Sequence, residues 1–182
     1  VQTFTVEPLA TGLKSLFDLQ IDNYLYKGET PFVNIAGFGG AAVSSYYTIC
    51  VGGNINDGRL DTYWGADTLA DGSTYTGDSA TITFNDYFEI GAFNLIVPFY
   101  SSWELGEACY VSYDIEALVK DGEGEKWIKV GEMSDKEARS SGINGAITLE
   151  LANTVTAKAV RATVTHSSRY ANAIIYEMEV FA

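Results

Sequence analysis

From residue 80 onward the chain alternates between apolar and polar positions. Residues 80–84 do so, residues 92–97 form a nearly continuous apolar run, and residues 111–119 alternate again around Tyr113, Ile115 and Ala117. A period of two is the mark of a strand with one face buried, and a short unbroken apolar run suits a strand covered on both faces. Residues 126–130, 147–151, 159–165 and 174–181 continue the series, with the polar stretches DGEGE, SSGING and SSRYANA between them as turns. Many short strands joined by polar turns, with no helices alternating between them, predict an all-β fold, an antiparallel sandwich.

The first part of the chain is different. Residues 7–22 place Leu9, Leu13, Leu16, Phe17 and Ile21 at helical spacing, with Pro8 suited to a first turn, so a short helix is expected there. Residues 23–45 break into Tyr, Val and Ile separated by Gly28, Pro31, Gly37, Gly39 and Gly40, a pattern of short strands or extended loops. At 182 residues the chain fits one domain, long enough to bury roughly 70% of the surface its unfolded form exposes. With 47% hydrophobic and 19% charged residues it has the composition of a globular protein, and no apolar run is long enough to span a membrane.

The net charge of −13 disfavours polyanionic partners, and the eleven Lys and Arg residues form no cluster. Nucleic acid and insertion into anionic membranes are therefore not expected, and neutral partners are favoured. Cys50 and Cys109 are too few for a disulfide framework. One bridge between them and two buried thiols both fit. The chain begins at Val1 rather than Met, as a processed product or an excised segment of a longer protein would.

Residues 54–64, NINDGRLDTYW, gather oxygen-bearing side chains around one turn. Gly58 permits a positive φ, so the main chain can fold back and aim carbonyls inward, while Asp57 and Thr62 add side-chain oxygens. Hard oxygens converging from a curled loop suit calcium, although the spacing is not that of an EF-hand and another part of the chain must complete the shell. The same residues also suit an Asp-Gly turn whose side chains cap their own backbone.

Candidates for catalysis are weaker. Glu104 with Glu107, and Asp135 with Glu137, are acidic pairs of the kind glycosidic cleavage needs, but they read as solvated turn charge. His166, the only histidine, sits beside serines in THSSRY with no nucleophile elbow. No catalysis is expected within this chain.

The motifs VSS…NINDGRLDTYW, FNLIV, YDIEALVKDGEGEKWIKVGE, AVRATVT and IIYEMEVF follow one another in the order found in the discoidin, or coagulation factor 5/8 type C, domain. Within that superfamily the chain looks most like the bacterial family 32 carbohydrate-binding modules. The resemblance covers residues 41–182 and leaves residues 1–40 as an N-terminal extension packed on, or leading into, the sandwich. It implies an eight-stranded jelly-roll β-sandwich with ligand loops at one end. It also implies a structural calcium, held here by Asn54, Asp57, Arg59 and Thr62 from the loop and by Tyr176 and Glu177 from the last strand. Its implied role is a non-catalytic reader of a terminal sugar, with galactose-type sugars first, in a larger secreted or cell-surface protein. Discoidin relatives also suggest a rival role, adhesion to a protein partner.

Sugar sites pair an aromatic platform with hydrogen-bonding side chains. The loops expected at one end supply Tyr46 and Tyr47, then Phe99, Tyr100 and Trp103, then Arg169, Tyr170 and Asn172. Of these, Tyr47, Tyr100, Trp103, Arg169, Tyr170 and Asn172 are the expected ligand contacts. Trp64 and Trp127 close apolar strand patterns and are expected as core or edge-packing residues, whereas Trp103, flanked by serines and Glu104, is expected to be exposed.

Overall fold

The computed structural model describes residues 24–27, 30–67, 76–97, 110–136, 145–167 and 172–182. The helix expected over residues 7–22 lies outside the described residues. Alternating sequence becomes ten strands: β1 Tyr24–Lys27, β2 Thr30–Val33, β3 Gly40–Val43, β4 Trp64–Gly65, β5 Ser79–Val97, β6 Val111–Asp121, β7 Gly124–Ser134, β8 Gly145–Ser167, β9 Ile174–Ile175 and β10 Glu177–Phe181. Among the described residues every strand pairing is antiparallel.

Two strands are far longer than their apolar patterns. The segments 80–84 and 92–97 are the two ends of β5, and the segments 147–151 and 159–165 lie within β8. The turn-like residues between them stay extended. They mark irregularities, with the β5–β8 register slipping between Thr83 and Phe88 and again between Ile90 and Ala92. Such bulges bend a strand, and here they let β5 and β8 each serve two layers.

In one layer the order is β3, the start of β5, the end of β8, β6 and β7. In the other, β10 pairs with the end of β5, which pairs with the start of β8. Alternate residues from both layers meet in a single core: Ile82, Tyr113, Ile115, Val160 and Ala162 from the first, and Phe93, Leu95, Met178 and Val180 from the second. Burying each of the larger side chains stabilises the fold by about 1.5–3 kcal/mol. This is an antiparallel β-sandwich. Residues 33–35 close the outer edge of β10, with Val33 N–H donating to Ala182 O at 2.9 Å and Ile35 N–H to Val180 O at 2.8 Å, so the strand is not left open to pairing with another chain.

Trp64 is fully buried, as expected, and its indole N–H donates to Ser45 O at 2.8 Å. Trp127 is not a core residue. The register sets Ala117 opposite Ile128 and Leu118 opposite Trp127, with a slip between Ile115 and Glu116, so Trp127 falls on the outer face. There it is half-buried, with the Arg161 guanidinium 4.2 Å above its ring. Arg161 also forks onto Glu116 at 2.8 and 2.9 Å, and this holds the Glu116 carboxyl below its usual range.

Asp135 also departs from expectation. It is fully buried rather than solvated, and its carboxylate accepts the Val111 N–H at 2.7 Å while its own N–H donates to Val111 O at 3.0 Å. It fastens the start of β6 to the end of β7. Cys50 is a buried free thiol, and Cys109 lies outside the described residues.

Candidate functional site

Antiparallel pairing brings the end of β3, the start of β5, the start of β6 and the ends of β7 and β8 to one end of the sandwich. From β3 the chain leaves into residues 44–51, a projecting loop. Tyr46, Tyr47 and Ile49 are 53%, 60% and 84% exposed at its tip, which is unusual for side chains of this size. Tyr47 O accepts the Cys50 N–H at 2.9 Å, closing a turn in which Thr48 has φ 50°. A β-branched residue in the left-handed region is strained, and such strain gathers where loops are held for a function.

The base of this loop is fixed. Tyr47 N–H donates to Gly65 O at 2.9 Å, and Gly65 N–H donates to Cys50 O at 3.2 Å. Ser44 and Ser45 both donate hydroxyls to Asp78 Oδ1, at 2.8 and 2.7 Å, which holds the loop to the start of β5.

β4 links this loop to the turn before the last strand. Trp64 and Gly65 pair with Ile175 and Ile174, and Ala66 N–H donates to Ala173 O at 3.0 Å. Asn172 is exposed and next to Ala173, so its segment runs along β4, which also carries the loop that presents Tyr47. Of the expected ligand contacts, Tyr47 and Asn172 lie on segments fastened to β4, with no contact between them, whereas Tyr100, Trp103, Arg169 and Tyr170 lie outside the described residues. Sequence reasoning missed Ile49 as a tip residue, since an isolated Ile reads as core. It also missed a stack of Tyr110 on His166 at the same end, which only the β6–β8 register reveals.

On the flank, the loop over residues 54–62 meets the start of β10. Gly58 takes φ 74°, and Asp57 Oδ1 accepts the Arg59 N–H at 2.9 Å while its Oδ2 accepts the Thr62 hydroxyl at 2.8 Å. These are the bonds of a self-capping turn. Across from them, Glu177 Oε1 accepts the same Arg59 N–H at 3.0 Å, although the two residues are 118 positions apart. Asn54 donates its side-chain amide to Tyr63 O at 2.8 Å, and Tyr63 meets Tyr176 edge-on at 5.5 Å. Arg59 turns its guanidinium outward onto Asp61 at 2.7 Å.

Glu177 is 7% exposed. Burial and a hydrogen bond with Asp57 push its carboxyl up to about 8, only partly offset by the N–H groups of Arg59 and Gly58. A buried carboxyl beside a second, exposed carboxylate favours either its own protonation or a cation. Among the described residues no group of three or more His, Cys, Asp or Glu gathers, which excludes a soft-metal cluster from them. Two carboxylates, a hydroxyl and nearby loop carbonyls form an oxygen donor set, and that chemistry fits calcium.

The sequence matches no known family model and no curated protein. Solved structures do match. The family 32 carbohydrate-binding module of Clostridium perfringens NanJ, in complex with galactose, shares 16% identity at TM-score 0.61, covering 82% of this chain and 98% of that one. Another Clostridium perfringens module, solved with GalNAc-β-1,3-galactose, shares 19% identity at TM-score 0.58, covering 81% and 97%. A chitosan-binding module from Paenibacillus sp. IK-5, in complex with chitotriose, shares 19% identity at TM-score 0.57, covering 82% and 100%. At these identities the likeness is one of fold. The chain has the discoidin-like β-sandwich fold of the family 32 carbohydrate-binding modules.

Proposed function

We propose that this chain is a non-catalytic sugar-binding module that holds one terminal sugar of a glycan at its loop end, with galactose-type sugars first. The observation that carries this reading is the tie through β4. It fastens both the loop that exposes Tyr47 and the segment that begins at the exposed Asn172 to one short strand, which supports a site drawing a ring and an amide from the two. A sugar offers an apolar C–H face to the ring and hydroxyls to the amide. Modules of the same fold hold galactose and GalNAc-β-1,3-galactose. In this reading Trp103, Arg169, Tyr100 and Tyr170 complete the site.

A structural calcium belongs to the same proposal. Asp57 and Glu177, with Thr62, Tyr176 and the carbonyls of Asn54 and Arg59, would hold it, and the ion would supply charge neutralisation that fastens the loop to the terminal strand. The module would work at a cell surface or in a secreted protein, attached to a larger chain, without nucleic acid and without membrane insertion. No helix among the described residues is long and apolar enough to cross a membrane.

A glycan array followed by calorimetry tests the reading. Shallow sites bind weakly, so dissociation constants on the order of 0.1–1 mM are expected for the sugar class that binds. Tyr47→Ala should abolish measurable binding and leave the melting temperature unchanged. The exposed Ile49 and Val51, which a sugar does not require, favour a second reading, adhesion to a protein partner. Silence across the array together with capture of a specific protein would select that reading instead.

A further inference from the structure

We propose that the same end of the sandwich carries a second subsite, formed by Lys136, His166 and Tyr110, which takes the carboxylate of an acidic sugar unit such as a hexuronic acid. The proposal rests on the reading of this end as a sugar site and extends it from a terminal sugar to an acidic oligosaccharide.

The register places the three residues together. Val111 at the start of β6 lies opposite Ser167, and Ser112 lies opposite both Ser134 at the end of β7 and His166 near the end of β8. The residues just beyond these strand ends therefore meet. The Tyr110 and His166 rings stack with centroids 4.7 Å apart, and the Lys136 ammonium lies 5.5 Å from the Tyr110 centroid. One tyrosine thus holds two nitrogen donors in place, an arrangement that keeps them ordered without neutralising either.

The charges argue the same way. Arg59, Lys126, Lys129, Lys158 and Arg161 each lie within 4 Å of a carboxylate, as expected in a chain of net charge −13. Lys120 and Lys136 have no such partner among the described residues, and Lys120 lies at the opposite end of β6, beside the Gly122 turn. The neighbour of Lys136, Asp135, is buried and accepts the Val111 N–H. At the ligand end Lys136 is thus, among the described residues, a cation without a carboxylate, placed to receive one from outside. Between β6 and β3, which carries the Tyr47 loop, lie β8 and β5 in succession. At about 4.8 Å per strand the two subsites are roughly 14 Å apart, too far for one ring and suited to linked sugars.

The test uses the intact chain and two probes that differ only in charge, a galacturonic acid trisaccharide and its methyl ester. Calorimetry at low salt should show the free acid binding about fivefold more tightly, the effect of one exposed ion pair, with the preference shrinking as salt is raised. Lys136→Gln should erase the preference while retaining the weaker binding of the ester, and Lys136→Arg should restore it. Equal binding of acid and ester by the unmodified chain, or a preference that survives Lys136→Gln, would overturn the acidic subsite and leave the sugar site standing. Binding of neither probe, nor of any sugar on the array, would overturn both.

Discussion

Glu177 sits where water hardly reaches it, facing Asp57, and the two carboxyl groups make stability depend on pH. Its folded pKa, about 8, lies above the ordinary value of 4.5, so the protonated form is favoured by folding. Without a cation, its contribution is complete below the ordinary value and is lost as pH rises through the folded one. The chelated protein is therefore expected to be less stable at pH 8.5 than at pH 5.5, by up to about a few kcal/mol. Glu177→Gln, which fixes the neutral form, should flatten that slope, and added calcium should flatten it for the unmodified chain by replacing the proton. Denaturant titrations with and without chelator check this, and a slope unchanged in the Gln variant would exclude Glu177 as its source. Asp57→Ala should remove most of the response of the melting temperature to calcium. Asp135 offers a simpler case at the same scale. Removing its carboxylate leaves the buried Val111 N–H without that acceptor, so Asp135→Ala should cost about 1–3 kcal/mol in chemical denaturation.

At the scale of elements, the sequence reveals where the strands are and conceals how long they run. Period-two patterns give the core faces of β5, β6 and β8 correctly, because a buried face must repeat every second residue. They miss that β5 and β8 pass through polar residues without stopping, since those residues look like turns and act as bulges whose pairing is decided across the sheet. Which face Trp127 takes could not be read, because the extra residue Val130 in β7 reverses the face and leaves no local mark, and the ring packs half-buried on the edge strand. The loop over residues 54–62 was legible in part. Asp57, Gly58 and Thr62 stand close in sequence, whereas their meeting with Glu177 depends on the last strand. The strain at Thr48 could not be read at all. Its φ of 50° predicts that Thr48→Gly will leave the melting temperature level or slightly higher while weakening sugar binding, because the tip that presents Tyr47 gains freedom. Differential scanning calorimetry paired with sugar titration checks both halves.

For the molecule as a whole, the architecture separates two tasks. The doubly used strands β5 and β8 build one continuous core, and the chain ends they leave free collect at a single face. Stability thus resides in the layers, while the recognition proposed above falls to loops that can change without disturbing them. Within the loop end, the β4–β9 pair is the joint that makes neighbours of residues more than a hundred positions apart in sequence, such as Gly65 and Ile174. The central claim is that a sugar seats there, and heteronuclear NMR tests it most directly. The chain is titrated with the sugar class that binds on the array while backbone amide shifts are followed. The predicted result is a set of saturable shifts confined to residues 46–51, 64–66 and 172–175, with none at the Gly122 turn at the far end of the sandwich. Shifts centred on that turn or on the outer face around Trp127, with the loop end silent, would contradict it.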